Sequence, residues 1–356
     1  MPKLRGALSQ IQGRFEPAER AAFDDGWTPE ERDENPPATV VAIERARSIV
    51  SHNESPDVPF SQSVNPYRGC EHGCIYCYAR PSHAYLELSP GLDFETKLYA
   101  KTNAVELLKQ ELSRKGYMPT PMAFGTNTDC YQPIERRYKI MRGLVEVLAA
   151  CDHPLTIVTK SALIERDIDL LAPMAKKNLV KAFVSITTLD RKIARTLEPR
   201  AASPQRRVDA LRALASAGIP CGVMVAPLVP ALTDPSLEAI LEAAAGAGAI
   251  MAGWILLRLP NEVRPLFKEW LAAHYPQRAD HVLSLIRQSR GGRENDPRFG
   301  TRMSGSGNFV ELIGRRFDLA CRKLGLNSEE NHMASRGSLD CTLFRAPASA
   351  GQMRLF

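Results

Sequence analysis

The residues of this sequence best suited to chemistry are three closely spaced cysteines, Cys70, Cys74 and Cys77. They form a CxxxCxxC run on a glycine-containing loop, so their thiolates can converge on one soft metal centre. Three ligands from one loop leave a coordination position without a cysteine, and an open position is typical of a catalytic metal. For iron–sulfur chemistry, the run predicts a 4Fe–4S cluster with one iron open to an exogenous ligand.

Two other interpretations of the cysteine run stay open on spacing alone. One is a structural zinc site with His72 or His83 as the fourth ligand, and the other is a chance grouping of core cysteines. The remaining cysteines are spaced like buried or scattered thiols. They are Cys130, Cys151, Cys221, Cys321 and Cys341.

The composition excludes several classes of protein. A chain of 356 residues, 44% of them hydrophobic, is long enough to bury an ample core. This composition excludes a chain that is disordered throughout, a collagen-like chain and a coiled coil. No apolar run reaches the ~18 residues that a membrane span needs. The N-terminus has no apolar segment typical of a secretory signal, so we expect a cytoplasmic, reducing location.

Short β-rich runs alternate with amphipathic helical patterns and must position these cysteines. The predicted strands are 61–68, 122–128, 155–159, 182–187, 221–227 and 251–257. The predicted helices are 103–114, 138–150, 166–177, 204–217 and 235–245, with Ser203 and Asp234 as N-caps. This alternation predicts an α/β fold with a parallel sheet, either doubly wound or a partial barrel, and its chemistry lies at the carboxyl ends of the strands.

Three regions follow along the chain. Residues 1–57 read as an N-terminal arm that is partly flexible, 58–260 as the βα region, and 261–356 as a mainly helical C-terminal extension with a flexible tail. The net charge of +6 lies wholly in the last part of the chain. Any polyanion partner is therefore expected at the C-terminal extension.

The cysteine run and its surroundings, SVNPYRGCEHGCIYCYARPSH, resemble the radical S-adenosylmethionine superfamily, and within it the spore photoproduct lyase-like branch. The resemblance implies a partial (β/α)6 barrel in which Cys70, Cys74 and Cys77 bind three irons of a 4Fe–4S cluster. S-adenosylmethionine would chelate the fourth iron and, on reduction, yield a 5′-deoxyadenosyl radical that abstracts hydrogen. An electron donor such as a flavodoxin or ferredoxin is implied as a partner.

The same resemblance implies roles for residues at the ends of the early strands. Tyr76 would pack beside the adenine, Thr128 would contact the methionyl group, and Lys160 would lie near the carboxylate. At the fourth strand end Ser185, with Thr187 second, would bind the ribose. Another candidate for the carboxylate, Arg207, opens the following helix.

One position departs from the lyase pattern. That pattern has a hydrogen-donating cysteine three residues before the aspartate at the second strand end, where this sequence has Thr126. Cys130 follows the aspartate and is a speculative hydrogen donor. Photoproduct reversal is therefore not predicted.

Arginines concentrate in the C-terminal extension, and mobile basic groups of this kind can contact nucleic-acid phosphates. The alternative is a solvated loop and helix face. The candidates are Arg287, Arg290, Arg293, Arg298, Arg302, Arg315 and Arg316.

The last five residues resemble the QLxLF pentapeptide that docks bacterial replication and repair proteins on the DNA sliding clamp. Leu355 and Phe356 would fill an apolar pocket, and Gln352 would hydrogen-bond at its rim.

Together these features predict a radical S-adenosylmethionine enzyme with nucleic acid as the favoured substrate, in repair or modification. A peptide or small metabolite substrate is one alternative, and a noncatalytic zinc-stabilised nucleic-acid-binding protein is the other.

Overall fold

We describe a computed structural model of the chain over residues 5–16, 37–328 and 339–347. Within these ranges the strands are β1 (Val40–Glu44), β2 (Val50–His52), β3 (Gln62–Val64), β4 (Tyr67–Arg68), β5 (Lys97–Lys101), β6 (Met122–Phe124), β7 (Leu155–Thr159), β8 (Val180–Ser185), β9 (Cys221–Leu228) and β10 (Met251–Leu256). The α-helices are α1 (Asp93–Thr96), α2 (Ala104–Leu112), α3 (Glu135–Tyr138), α4 (Ile140–Ala150), α5 (Ile168–Lys176), α6 (Arg191–Leu197), α7 (Pro204–Ser216), α8 (Leu237–Gly246), α9 (Val263–His274), α10 (Pro276–Gln288) and α11 (Asn308–Leu324). Short 3₁₀ helices cover Arg80–Leu86, Ala162–Asp167 and Asp234–Ser236.

Parallel strands form the larger sheet. Over the described residues its order is β10-β9-β8-β7-β6-β3-β2, and β2 pairs antiparallel with β3 at one edge. The other pairings are parallel, and the six strands from β3 to β10 follow chain order across the sheet. Because helices connect them, each crossover adds the next strand on the same side, as in a partial β/α barrel. The predicted α/β fold with a partial (β/α)6 barrel is confirmed.

Local sequence explains where these elements begin and end. β7 matches its prediction, and its side chains alternate between buried and partly buried positions along LTIVT. Ser203 caps α7 as predicted, since its side chain accepts a hydrogen bond from the Arg206 N–H. The predicted cap at Asp234 is wrong, because this residue lies inside a 3₁₀ turn and α8 begins only at Leu237.

The described part of the N-terminal region packs against the barrel. β1 pairs in parallel with β5, which also pairs with β4, so these strands form a second sheet. The backbone N–H groups of Gly6 and Ala7 donate to the buried Glu95 carboxylate at 2.9 and 2.8 Å. These contacts anchor Gly6 and Ala7 to Glu95, and the partly flexible N-terminal arm stays a prediction. β1 contains the apolar run VVAI, but Val40 and Ile43 are exposed, so only part of the strand is covered.

The C-terminal extension is mainly helical, as predicted, and α11 joins it to the barrel. Val310, Ile313 and Phe317 of α11 belong to the same hydrophobic core as the central strands. Because α11 packs into this core, it holds the preceding arginine-rich loop against the end of β10.

In the described ranges, no helix is long and apolar enough to cross a membrane.

Candidate cluster and cofactor site

The three cysteines lie on a tightly turned loop that follows β4. The Cys70 N–H donates to the Phe94 carbonyl at 2.9 Å, and the Cys77 N–H donates back to the Cys74 carbonyl at 3.2 Å. Cys70 and Cys74 are buried, Cys77 is partly exposed, and all three are free thiols. Thus the loop presents three unmodified thiols from one compact turn.

A buried arginine fixes the shape of this loop. The Arg80 guanidinium donates to the Cys74 carbonyl at 2.9 Å and to the Gly73 carbonyl at 3.2 Å. It also pairs with the buried Glu95 carboxylate at 2.5 Å. Gly73 has φ +68°, and a Cβ there would lie 2.6 Å from a Glu95 oxygen, so only glycine fits. The loop is therefore preorganised by contacts that do not use the thiols.

The donor set fits an iron–sulfur cluster better than a zinc ion. Burial raises the pKa of the Cys70 thiol, and the nearby Asp129, Cys74 and Cys77 raise it further. Yet in the described part of the chain no three His, Cys, Asp or Glu side chains converge tightly enough for a single ion. A zinc ion needs that convergence, whereas the thiolates around an iron–sulfur cube bind different irons.

The two histidines proposed as fourth zinc ligands have other contacts. The His72 Nδ1 lies 3.4 Å from an Asp129 carboxylate oxygen. The His83 Nε2 lies 2.9 Å from the Lys97 carbonyl oxygen, and burial lowers the pKa of His83. Neither ring supports the zinc interpretation.

A buried polar cluster lies beside the cysteine loop and is centred on Glu198. The Thr187 hydroxyl donates to Glu198 at 2.6 Å, and the Tyr76 hydroxyl and the Arg207 guanidinium bind the same carboxylate. Arg207 also donates to the Ser185 carbonyl at 3.0 Å. The sequence predicted these four other residues but missed Glu198. No local pattern marks this glutamate, because only its tertiary contacts distinguish it from a surface residue.

Charge stabilises this cluster despite its burial. Burial by itself would raise the pKa of Glu198, but Arg207 and Lys160 lower it to about 2. The Lys160 ammonium lies 5.7 Å from the centre of the Tyr76 ring. The structure therefore brings together the predicted cofactor residues from β7, β8, α7 and the cysteine loop.

The end of β6 is organised by polar contacts that reach neighbouring elements. The Thr128 hydroxyl donates to the Tyr67 carbonyl at 3.0 Å, which leaves its lone pairs to accept a hydrogen bond. Asp129 accepts the Thr159 hydroxyl and the Lys160 backbone N–H, both at 2.7 Å. Asp129 therefore joins the ends of β6 and β7, and it holds Lys160 next to the cysteine loop.

A profile of the Radical SAM superfamily matches residues 64–244, which is half of the chain. The chain belongs to the radical SAM superfamily. An uncharacterized protein of Mycobacterium tuberculosis (strain ATCC 25618 / H37Rv) is 41% identical over 233 residues, covering 65% of this chain and 68% of that one. An uncharacterized protein of Methanocaldococcus jannaschii is 28% identical over 216 residues, covering 60% and 76% of the two chains.

Solved structures resemble this radical SAM protein in fold. A spore photoproduct lyase complexed with dinucleoside spore photoproduct has a TM-score of 0.57 at 18% identity, and the match covers 80% of each chain. A double mutant of spore photoproduct lyase, with bound AdoMet and dinucleoside spore photoproduct, has a TM-score of 0.57 at 17% identity and 80% coverage of each chain. The matches support a radical SAM enzyme with the predicted barrel, and the family uses a 4Fe–4S cluster and S-adenosylmethionine.

Cys130, the speculative hydrogen donor, lies in the interior of this radical SAM enzyme. It is fully buried, in the main hydrophobic core with Tyr131 and Ile134. Burial raises the pKa of its thiol well above the ordinary value. The donor role stays a prediction, and the burial of Cys130 favours a structural role in the core.

Three of the arginines expected at nucleic-acid phosphates are buried or partly buried against protein partners. Arg290 is 2% exposed and donates to the carbonyls of Thr301, Arg302, Leu256 and Leu257. This corrects its predicted role, since a buried guanidinium bound to four carbonyls cannot reach a phosphate. Arg302 pairs with Asp57, and Arg316 pairs with Glu238 at 2.7 Å.

The other arginines of the extension remain accessible. Arg293 is exposed, and the side chains of Arg298 and Arg315 are 72% and 83% exposed. Arg287 pairs at 3.2 Å with Glu294 and is 44% exposed. The predicted clamp-binding residues lie outside the described residues. They are Gln352, Leu355 and Phe356.

Proposed function

We propose that this radical SAM enzyme holds a 4Fe–4S cluster through Cys70, Cys74 and Cys77 and acts on nucleic acid, in repair or modification. When bound, the cluster and S-adenosylmethionine together supply a 5′-deoxyadenosyl radical that abstracts a hydrogen atom from the substrate. The observation that carries the proposal is the placement of the cysteine loop, through Cys74 and Tyr76, beside the charged cluster around Glu198.

The chain's own residues bind and orient the cofactor. Lys160 offers a cation for the methionyl carboxylate, and the Tyr76 ring offers a face for the adenine. Glu198 holds Tyr76 and Arg207 in place, so it is a positioning residue. The buried walls of this site exclude water, which protects a reactive radical.

Two arginine–aromatic pairs favour a nucleic-acid substrate. Arg258 lies over the Tyr78 ring, 5.7 Å from its centre, and Tyr78 directly follows Cys77. Arg302 lies over Phe299 at 4.5 Å. The two rings are 48% and 60% exposed. Exposed aromatic rings of this kind are typical of surfaces that stack unpaired bases.

Photoproduct reversal is not part of the proposal. Thr126 stands where the lyase pattern has its cysteine, and its hydroxyl accepts a hydrogen bond from the Asn65 amide at 3.4 Å. The Thr126 carbonyl accepts one from Tyr78. A threonine O–H bond is a poor hydrogen-atom donor compared with a thiol. The outcome of the reaction is therefore expected to differ from that of the lyase.

Anaerobic reconstitution tests the cluster and the radical chemistry. The wild-type protein should bind iron and sulfide, turn brown, and release 5′-deoxyadenosine from S-adenosylmethionine under dithionite. Cys74→Ala should lose both the cluster and the product, whereas the partly exposed Cys341→Ala should keep both. Tightly bound zinc without cleavage of S-adenosylmethionine in the wild-type protein would refute the proposal.

A further inference from the structure

An arginine-lined cavity lies next to the cysteine loop and is not used by the proposed chemistry. Its volume is about 790 Å³. Its walls come from segments after β6, β7 and β8, and Glu165 is the acidic residue among them. The basic lining residues are Arg136, Arg166, Arg195, Arg200 and Arg206. The charged side chains that line the cavity are therefore mainly arginines.

Carboxylates fix most of these arginines in place. Arg206 donates two hydrogen bonds of 2.6 Å to Glu165. Arg166 pairs at 2.7 Å with Glu135, and the Glu135 carboxylate is fully buried behind the wall. Arg136 differs, because it is exposed and forms no ion pair with any described residue. Arginines fixed in place by carboxylates, with the uncompensated and exposed charge of Arg136 beside them, suit a large acidic partner better than a small ion.

The floor of the cavity belongs to the cysteine loop itself. His72, which lies between Cys70 and Cys74 in the chain, contributes to the lining. The Arg200 N–H donates to the His72 carbonyl at 3.2 Å, and the Arg200 guanidinium pairs with Glu71. The cavity wall and the loop that carries the thiols are thus directly bonded. A redox group seated in this cavity would lie against His72, which is two residues from both Cys70 and Cys74 in the chain.

We propose that this cavity, which we call the arginine cavity, is the docking surface for an acidic one-electron carrier protein. The inference rests on the proposed function, because a reducible cluster behind His72 gives an electron carrier its reason to bind there. In the transfer, the carrier loses one electron and the cluster gains it, with no bond made or broken. Electron-transfer complexes are small and transient, and charge complementarity raises their association rate.

Nucleic acid is the rival occupant of a basic surface, and the aromatic residues argue against it. Tyr131 is the aromatic residue among the lining residues, and it is completely buried. Unpaired bases therefore find no ring to stack on in the arginine cavity, unlike at Tyr78 and Phe299.

Two adjacent arginines provide a matched test. Arg136 lines the arginine cavity, whereas the equally exposed Arg137 lies over the Tyr138 ring and is not part of the lining. We would measure the reduction of the reconstituted cluster by an acidic flavodoxin hydroquinone in stopped flow. Arg136→Glu should lower the second-order rate constant about tenfold at low salt, because charge steering is lost. Arg137→Glu should change it less than about twofold, and dithionite should reduce all three proteins equally.

Binding of oxidised flavodoxin to the same proteins gives a readout that needs no turnover. The affinity of the wild-type protein for oxidised flavodoxin should fall as the salt concentration rises. Arg136→Glu should weaken this affinity, and Arg137→Glu should not. Equal rates and affinities for Arg136→Glu and wild type would overturn the proposal, as would equal losses in the two variants. Loss of oligonucleotide affinity in Arg136→Glu with unchanged flavodoxin binding would assign the cavity to nucleic acid. Failure of dithionite to support cleavage in the wild type would instead refute the proposed function.

Discussion

The ammonium group of Lys160 lies 5.7 Å from the centre of the Tyr76 ring, although 84 positions separate them in the chain. Lys160 directly follows β7, and Tyr76 lies between the second and third cysteines of the loop. Burial would lower the pKa of Lys160, but the nearby Cys74 and Glu198 raise it. A charged ammonium group is therefore held beside the thiols, where the methionyl carboxylate is expected.

Replacing Lys160 tests this assignment. Lys160→Met should weaken S-adenosylmethionine binding about tenfold to hundredfold, since a charge-assisted hydrogen bond contributes about 1.5–3 kcal/mol. Lys160→Arg should retain part of the affinity. Isothermal titration of the reconstituted protein measures the effect, with the exposed Lys176→Met as a control. Unchanged affinity in Lys160→Met would show that the carboxylate binds elsewhere.

The buried pair of Glu198 and Arg207 makes stability depend on acid pH. Glu198 has a pKa of about 2 in the folded protein against 4.5 ordinarily, so its stabilising contribution is complete above about pH 4.5 and is lost as pH falls towards 2. At neutral pH, Glu198→Gln should cost about 3–5 kcal/mol because Arg207 stays buried without its partner. Urea unfolding of the cluster-free protein should show that this difference narrows below pH 4.5. The exposed Glu311→Gln is the control, and a pH-independent difference would contradict the assignment.

Replacing Cys130 distinguishes a structural role of this thiol from a chemical one. Since it is fully buried in the main core, Cys130→Ala should lower the stability by about 1 kcal/mol. The yield of 5′-deoxyadenosine under dithionite should not change. Denaturation and product analysis of the same preparation measure the two effects. Normal stability with loss of product would restore Cys130 as a chemical participant.

The arginines of the C-terminal extension should differ in their effect on nucleic-acid binding. Arg293→Gln should reduce the salt dependence of single-strand binding by about 0.7 in the log–log slope, if one phosphate contact is lost. Arg290→Gln should leave the slope unchanged and instead destabilise the fold, because four carbonyls lose their donor. Fluorescence anisotropy with a labelled oligonucleotide across a salt series distinguishes them. Equal slopes for the wild type and Arg293→Gln would exclude a phosphate contact by Arg293.

Removal of the last five residues tests the sliding-clamp prediction. Deleting Gln352–Phe356 should abolish binding to a bacterial sliding clamp, and Leu355→Ala with Phe356→Ala should do the same because the apolar anchors are lost. Surface plasmon resonance on immobilised clamp gives the affinity. Cleavage of S-adenosylmethionine by the deletion variant should match the wild type. Retained clamp affinity would exclude this docking motif.

Local patterns sufficed to predict the fold and the superfamily. The three cysteines lie within eight positions, and β7 contains the β-branched run TIVT. Both features are therefore visible in a short window of sequence. The positions of Lys160, Ser185 and Thr187 at strand ends then follow, because parallel strands present their carboxyl ends at one edge.

Other features depended on contacts between distant segments, which no window of sequence contains. Glu198 became recognisable only when Tyr76, 122 positions away, donated to it. Arg290 has the composition of a phosphate ligand, yet the carbonyls at the end of β10 bury it. The cysteine motif by itself therefore determined the chemistry. Tertiary structure decided which charges surround the thiols and which arginines face solvent, because burial and charge pairing depend on packing and not on residue type.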